Sequence, residues 1–160
     1  MKIRVGQGYD VHRLEEGRDF WLGGILVPHT HGAVGHSDAD IICHVICDAL
    51  LGAANMRNIG YHFSDKDPQF KGIDSKILLK KVLVMIREAG WEVNNLDVTV
   101  ILQLPKLNPH IPEMKTCLAG VMNIPEEDIS IKATTSEHIG FVGRGEGVAA
   151  QCVALITKSI

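Results

Sequence analysis

The chain has 160 residues, 46% of them hydrophobic, and a formal charge of −3, so it is long enough to bury a core and falls within the range of a single domain. That charge gives no global attraction for a polyanion, which removes electrostatic support for nucleic-acid binding; any phosphate must be held locally. The opening MKIRVGQGYD lacks the apolar core of a secretory signal, and no segment stays apolar long enough to span a bilayer, so the expectation is a soluble, cytoplasmic protein with no membrane partner. Cys43, Cys47, Cys117 and Cys152 are then expected as free thiols in or near the core.

In chain order, Met1 to Asp10 reads as a strand, with Ile3 and Val5 on one face and Gly6 and Gly8 leaving the backbone close to something. Gly23–Gly24 would join Phe20–Trp21–Leu22 and Ile25–Leu26–Val27 in a hairpin. Pro28 to His36 is rich in Gly and His and reads as an active-site loop. Ser37 and Asp40 have the spacing of a capping box, and the apolar run from Ile41 to Leu50 continues with helical period, predicting a helix over about 38–54. Residues 58–72 carry Gly, Pro and charges without periodicity and read as a long functional loop. Ser75 to Glu88 reads as an amphipathic helix stopped by Gly90. Val93 to Leu104 alternates as a strand, with Val98, Val100 and Leu102 on one side, and ends at Pro105. Pro112 opens a short helix to Gly120, and strands follow at Ile129–Thr134 and Val148–Ile156. Too few helices lie between strands for a doubly wound sheet, so the expectation is a single α+β domain over 1–160, one sheet with helices packed on one face.

Asp10 and His12, two apart on what reads as a strand end, project from the same face. His44 lies on the following helix, with Asp40 and Asp48 one turn to either side and placed to orient its ring. Two histidines and a carboxylate would leave a zinc ion an open fourth position, the pattern of a catalytic site. Spacing alone also fits ordinary hydrogen-bond partners.

His36 and Ser37 stand at the expected helix start, where free amides favour an anion, though Ser37 as a plain N-cap fits equally. The turn from Lys132 through Thr134, Thr135 and Ser136 to Glu137 offers hydroxyls for phosphate oxygens and a carboxylate for a hard cation. Gly140 to Gly147 lacks the order of a nucleotide P-loop.

Several segments together resemble the 2-C-methyl-D-erythritol 2,4-cyclodiphosphate synthase family, nearly end to end. They are G-Y-D-V-H-R-L at 8–14, G-H-S-D-A-D at 35–40, H-V-I-C-D-A-L-L-G-A-A at 44–54, F-S-D-K-D-P-Q-F-K-G at 63–72, P-K-L at 105–107, K-A-T-T-S-E at 132–137 and G-F-V-G-R-G-E-G at 140–147. The resemblance implies a homotrimer with active sites between subunits, each bearing one zinc on Asp10, His12 and His44, with Mg²⁺ or Mn²⁺ near Glu137. It implies 4-diphosphocytidyl-2-C-methyl-D-erythritol 2-phosphate as the substrate, cyclised with loss of CMP. His36 and Thr135 match its transition-state-stabilising positions. Phe63, Ser64, Asp65, Lys66 and Asp67 match its polyol loop. Leu102, Gln103, Leu104, Pro105, Lys106, Leu107 and Asn108 match its cytidine pocket, and Ser37, Thr134 and Ser136 further substrate contacts. Phe141 and Arg144, with Glu146, match residues beside an axial cavity able to hold an isoprenoid diphosphate. One departure stands out: Asn58–Ile59–Gly60 occupies the place of an Asp-Ile-Gly, so an uncharged amide replaces a carboxylate. Two other readings remain open on the residues alone. One is a zinc phosphohydrolase using Asp40 or Asp48 as base; the other is a non-catalytic trimeric binder of nucleotides or isoprenoid phosphates.

Overall fold

A computed structural model describes residues 1–159. Its first strand, β1, runs from Lys2 to Glu16, well past the expected end at Asp10. The extension has a simple cause: Lys2 to Arg13 pair with the last strand, and Leu14 to Glu16 then pair with a short strand β4 at His31–Ala33. Asp10 and His12 therefore sit within a continuous strand and not at its end. The stretch expected as an uninterrupted histidine-rich loop is thus partly sheet.

The hairpin forms as expected, β2 at Trp21–Leu22 and β3 at Ile25–Leu26, with Gly23 and Gly24 both at positive φ, the conformation a two-residue hairpin turn requires. Helix α1 spans Ile41–Ala53, shorter than expected at its start. Ala39 is left-handed, φ 59°, so the helix cannot run back to residue 38, and Asp40 takes the N-cap in place of Ser37. Its carboxylate accepts from Ile42 N and Cys43 N, and also from Gly23 N and Gly24 N at 2.9 and 2.6 Å, tying the hairpin turn to the helix.

Beyond α1 lie α2 (Ile59–His62), a 3-10 turn at Pro68–Phe70 and α3 (Ser75–Glu88), so the loop expected over 58–72 contains short helical turns. Strand β5 covers Glu92–Ile101, α4 covers Ile111–Met122 and β6 covers Ile129–Thr134. Gly120 does not end α4; Asn123 does, by adopting the left-handed conformation at the C-cap. A one-turn helix α5 at Gly140–Gly143 leads into β7, Gly147–Lys158.

These strands make one mixed sheet of order β4-β1-β7-β5-β6, parallel only between β5 and β6. Helix α1 lies across β1, β7 and β5, with α3 against it, and the core fills between them from Ile42, Val45, Ile46, Val98, Val100 and Ala154. No helix among the described residues is long and apolar enough to cross a membrane.

Helix α1 approaches β1 unusually closely. A Cβ on Gly6 would lie 2.0 Å from Ala49 O, and one on Gly8 would lie 2.1 Å from Val45 O. Gly8→Ala must push the helix off the strand, and we expect it to cost about 2–3 kcal/mol of unfolding free energy, measured by urea titration.

Candidate metal centre

The glycine contact decides where His44 goes. Even-numbered positions of β1 face the helix, so Asp10 and His12 point from the strand toward α1 just beyond Gly8. With no side chain holding the two backbones apart, the first turn of α1 delivers His44 against them. His12 Nε2 lies 3.2 Å from His44 Nδ1 and 3.2 Å from Asp10 Oδ2, and His44 Nδ1 lies 3.3 Å from the same oxygen. This near-equilateral triangle matches one face of a tetrahedron around an ion with bonds of about 2.0–2.1 Å, whose edges are about 3.3–3.4 Å. The rings stand 75° apart, edge to face, so their lone pairs converge without stacking. Asp10 Oδ1 accepts the Val11 N–H at 2.8 Å, which turns Oδ2 toward the histidines. Burial raises the Asp10 carboxyl, but hydrogen bonds from His12 and His44 outweigh it and hold the group well below the usual carboxylate range. Both histidines are largely covered while Asp10 stays partly open, leaving one side of the triangle accessible. No other group of acidic, histidine or cysteine side chains among the described residues converges in this way.

The expectation that Asp40 and Asp48 orient His44 does not hold. Asp40 is 1% exposed and its oxygens are taken by four backbone N–H groups, so it is a helix cap and is not free to act as a base. Its carboxylate also fills the anion position at the helix start that His36 and Ser37 were expected to frame. Asp48 accepts the Ile59 N–H at 2.7 Å, and burial raises its carboxyl above the usual value. What touches His44 Nε2 is a pair of hydroxyls, Ser37 Oγ and Ser75 Oγ, each at 3.0 Å. Ser75 gives no signal in the sequence, because its place at the start of a helix already has an ordinary explanation and its partners lie more than thirty residues away.

His36 Nε2 lies 3.0 Å from the carbonyl of Asp67, which joins it to the 63–67 segment. In that segment Ser64 Oγ accepts from Lys66 N, Asp67 caps the 3-10 turn, Phe63 packs on the core and Asp65 is exposed. Asn58 occupies the N-cap of α2 without making a side-chain cap bond, while Asp48 holds Ile59 N; the Asn58 amide is free, and Gly60 beside it is exposed.

A separate cleft of about 160 Å³ lies at the ends of β5 and β6, between Leu102, Pro105, Lys106, Leu107 and Asn108 on one side and Thr134 and Thr135 on the other. Gln103 and Leu104 turn the other way, into a larger cavity of about 430 Å³ that they share with His29, His31, His138 and Arg144. Gln103 Oε1 accepts the His138 N–H there. Burial and the neighbouring His31 lower the pKa of His29. Glu137 and His138 both have positive φ, 51° and 61°, so the turn after β6 holds non-glycine residues in a costly backbone conformation and exposes the Glu137 carboxylate. Ser136 Oγ donates to Ile139 O, and Arg144 pairs with Glu146 while Phe141 packs beside Gly147.

Register fixes the separation of the triad and the cleft. Val11 pairs with Ala149, Ala149 with Ile101 and Ile101 with Thr134, so the triad and the cleft stand at the same end of the sheet, three strand spacings or about 14 Å apart.

A mixed sheet covered by helices on one face, carrying a convergent two-histidine, one-carboxylate cluster that fits a metal ion, defines an α+β protein with a candidate metal centre. The model of the YgbB family matches residues 3–157, and the chain belongs to that family. A protein of Cytophaga hutchinsonii named 2-C-methyl-D-erythritol 2,4-cyclodiphosphate synthase is 61% identical over 99% of both chains. The bifunctional IspDF of Campylobacter jejuni superposes with a TM-score of 0.95 at 38% identity over 99% of this chain, which spans 43% of that longer one. A 2C-methyl-D-erythritol-2,4-cyclodiphosphate synthase in a form bound to CDP superposes at 0.89 with 35% identity, covering 96% of this chain and all of that one.

His44→Ala opens one corner of the triangle without touching the core contacts of α1. We expect zinc uptake, followed by competition with a chromophoric chelator, to fall at least 100-fold, while the chelator-treated protein keeps its thermal midpoint within a few degrees.

Proposed function

We propose that this chain works as a 2-C-methyl-D-erythritol 2,4-cyclodiphosphate synthase of isoprenoid precursor biosynthesis, converting 4-diphosphocytidyl-2-C-methyl-D-erythritol 2-phosphate to the cyclodiphosphate and CMP. The observation that carries the reading is the 61% identity, over 99% of both chains, with a protein of that name. The site geometry supplies compatible chemistry.

In this reading an oxygen of the 2-phosphate attacks the β-phosphorus in line. The bond from that phosphorus to the oxygen bridging the α-phosphate breaks, and CMP leaves with the electron pair. No side chain becomes covalently attached, so the protein acts through positioning and charge neutralisation. Leu102, Pro105 and Leu107 offer the cytosine an apolar slot, and Lys106, Thr134 and Thr135 offer donors to the ribose and phosphates. His36, tied to Asp67, places an imidazole between the loop ahead of α1 and the polyol segment. Asp10, His12 and His44 would hold zinc, which when bound supplies a Lewis acid for a phosphate oxygen. Glu137, exposed on its strained turn, would hold Mg²⁺ or Mn²⁺.

The assembly follows as part of the same proposal. The sheet face away from the helices carries Ile3, Val5, Tyr9, Val11 and Val153, all exposed, and Val5 reaches 63%. An apolar strip of this kind, interrupted by Gln7, is suited to a cover, and a homotrimer packed on these faces supports an active site in which one subunit's cleft meets the triad of its neighbour. Arg144 and Phe141 would then stand near the axis, where an isoprenoid diphosphate could enter. The buried thiols of Cys43, Cys47 and Cys152 fit a reducing, cytoplasmic setting.

Phosphorus NMR of the protein with the cytidyl substrate, Zn²⁺ and Mg²⁺ should show CMP and a cyclic diphosphate rising together; CMP with an uncyclised product would instead indicate hydrolysis. Because the Asn58 amide is free of structural bonds, Asn58→Asp should keep cyclisation within about tenfold of the parent, and a dead variant would mean that the site requires the amide. Val5→Glu places a charge in the proposed contact and should shift the sedimentation coefficient from trimer to monomer.

A further inference from the structure

His44 can bind a metal through Nδ1 only if that nitrogen is unprotonated, which requires its proton to sit on Nε2. The surroundings of Nε2 decide this. Asp38 Oδ2 accepts the Ser75 backbone N–H at 3.0 Å, and Asp38 Oδ1 accepts the Ser75 hydroxyl at 2.5 Å. A carboxylate can only accept, so the single hydroxyl proton of Ser75 is directed to Asp38. Ser75 Oγ then presents only lone pairs to the imidazole nitrogen 3.0 Å away. Ser75 is fully buried, so no water can relieve a lone-pair clash there; the contact is favourable only when Nε2 carries hydrogen and donates.

We infer that Asp38 and Ser75 are positioning residues that set the tautomer of His44, through the chain Asp38 carboxylate, Ser75 hydroxyl, His44 Nε2–H, and so aim the Nδ1 lone pair at the metal centre. The inference rests on the reading of Asp10, His12 and His44 as metal ligands. It assigns a function to a contact between residues 38 and 75 that serves none of the substrate groups considered above. Ser37 shares the Nε2 contact and its oxygen also accepts the Ala39 N–H at 3.2 Å; it lies 3.3 Å from Ser75 Oγ, whose proton is committed to Asp38, so Ser37 can donate its own proton to Ser75 and turn a lone pair to Nε2 as well, but no carboxylate of its own fixes that choice. The same arrangement ties the start of α3 to the loop before α1, which makes the metal centre sensitive to where α3 docks.

The test begins with the wild-type protein, labelled with ¹⁵N-histidine, freed of zinc and held near pH 8, above the ordinary histidine range of about 6.5. Two-bond proton–nitrogen correlation spectra should show His44 with Nε2 protonated and Nδ1 bare. Ser75→Ala should convert this to a mixture of tautomers and weaken zinc binding by about 10–100-fold in chelator competition, while Ser75→Thr, which keeps the hydroxyl, should restore both. A wild-type His44 protonated on Nδ1, or a Ser75→Ala zinc affinity within twofold of the parent, overturns the inference while leaving the metal centre standing. Failure of the wild-type protein to bind zinc at all overturns the metal reading and this inference with it. Should Ser75→Ala not fold, the wild-type tautomer alone decides.

Discussion

The fold and its chemistry hang on the direct backbone contact between β1 and α1. Gly6 and Gly8 leave the strand bare on the side where the helix lies, and the carbonyls of Ala49 and Val45 occupy the space that any Cβ would need. Close packing of this kind is unforgiving, because interiors at crystal-like density cannot absorb even one methyl group without moving backbone. The reward is positional precision. Two of the candidate ligands are rigid by their place in a strand that pairs from Lys2 to Arg13 with β7, and the third is carried by a helix whose distance from that strand is set by contact and not by adjustable side chains.

Asp40 completes this frame from the other end. It caps α1 and grips the glycine hairpin turn, so one buried carboxylate locks the helix start in angle and depth. His44 follows one turn later, where little freedom remains. The contacts beyond the candidate ligands come from Ser75 at the start of α3, 31 residues from His44, and from Ser37 and Asp38 in the loop ahead of α1. A site whose ligands are held by strand and helix while their outer contacts come from a third element is preorganised in the sense that binding a metal requires little movement.

The chain nevertheless carries the triad and the cleft apart. The triad and the cleft share one end of the sheet but stand three strands from each other, and on the opposite sheet face Ile3, Val5, Tyr9, Val11 and Val153 of β1 and β7 are exposed in a single chain. The homotrimer proposed above addresses both features, since a second copy on that face could bring its cleft to the triad. Asn58 fits the same picture. Asp48 holds Ile59 N at the start of α2, and the amide that replaces a carboxylate is free of a cap bond and faces outward.

Much of this was legible in the residues. Alternation, helical period and glycine placement mark α3, β6 and the hairpin almost to the residue, while β5 ends at Ile101, three residues short of the expected Leu104; Asp10, His12 and His44 stand out because two strand positions of like parity and a helical histidine can converge. Local signals also misled. Ser37 looked like the cap because capping-box spacing ignores backbone handedness, and Ala39 turns the chain the other way. Asp40 and Asp48 looked like partners of His44 because helical spacing puts them on its stripe, yet hydrogen bonds to the hairpin and to Ile59 draw both elsewhere. By itself the sequence determined the long periodic segments α1, α3, β5, β6 and β7 and which side chains could bind a metal, since both follow from short-range geometry and residue chemistry. Only the tertiary structure decided which oxygen caps which amide, that Ser75 and Asp38 stand behind His44, and that the cleft lies three strands from the triad, because these depend on long-range pairing and close packing that no local pattern encodes.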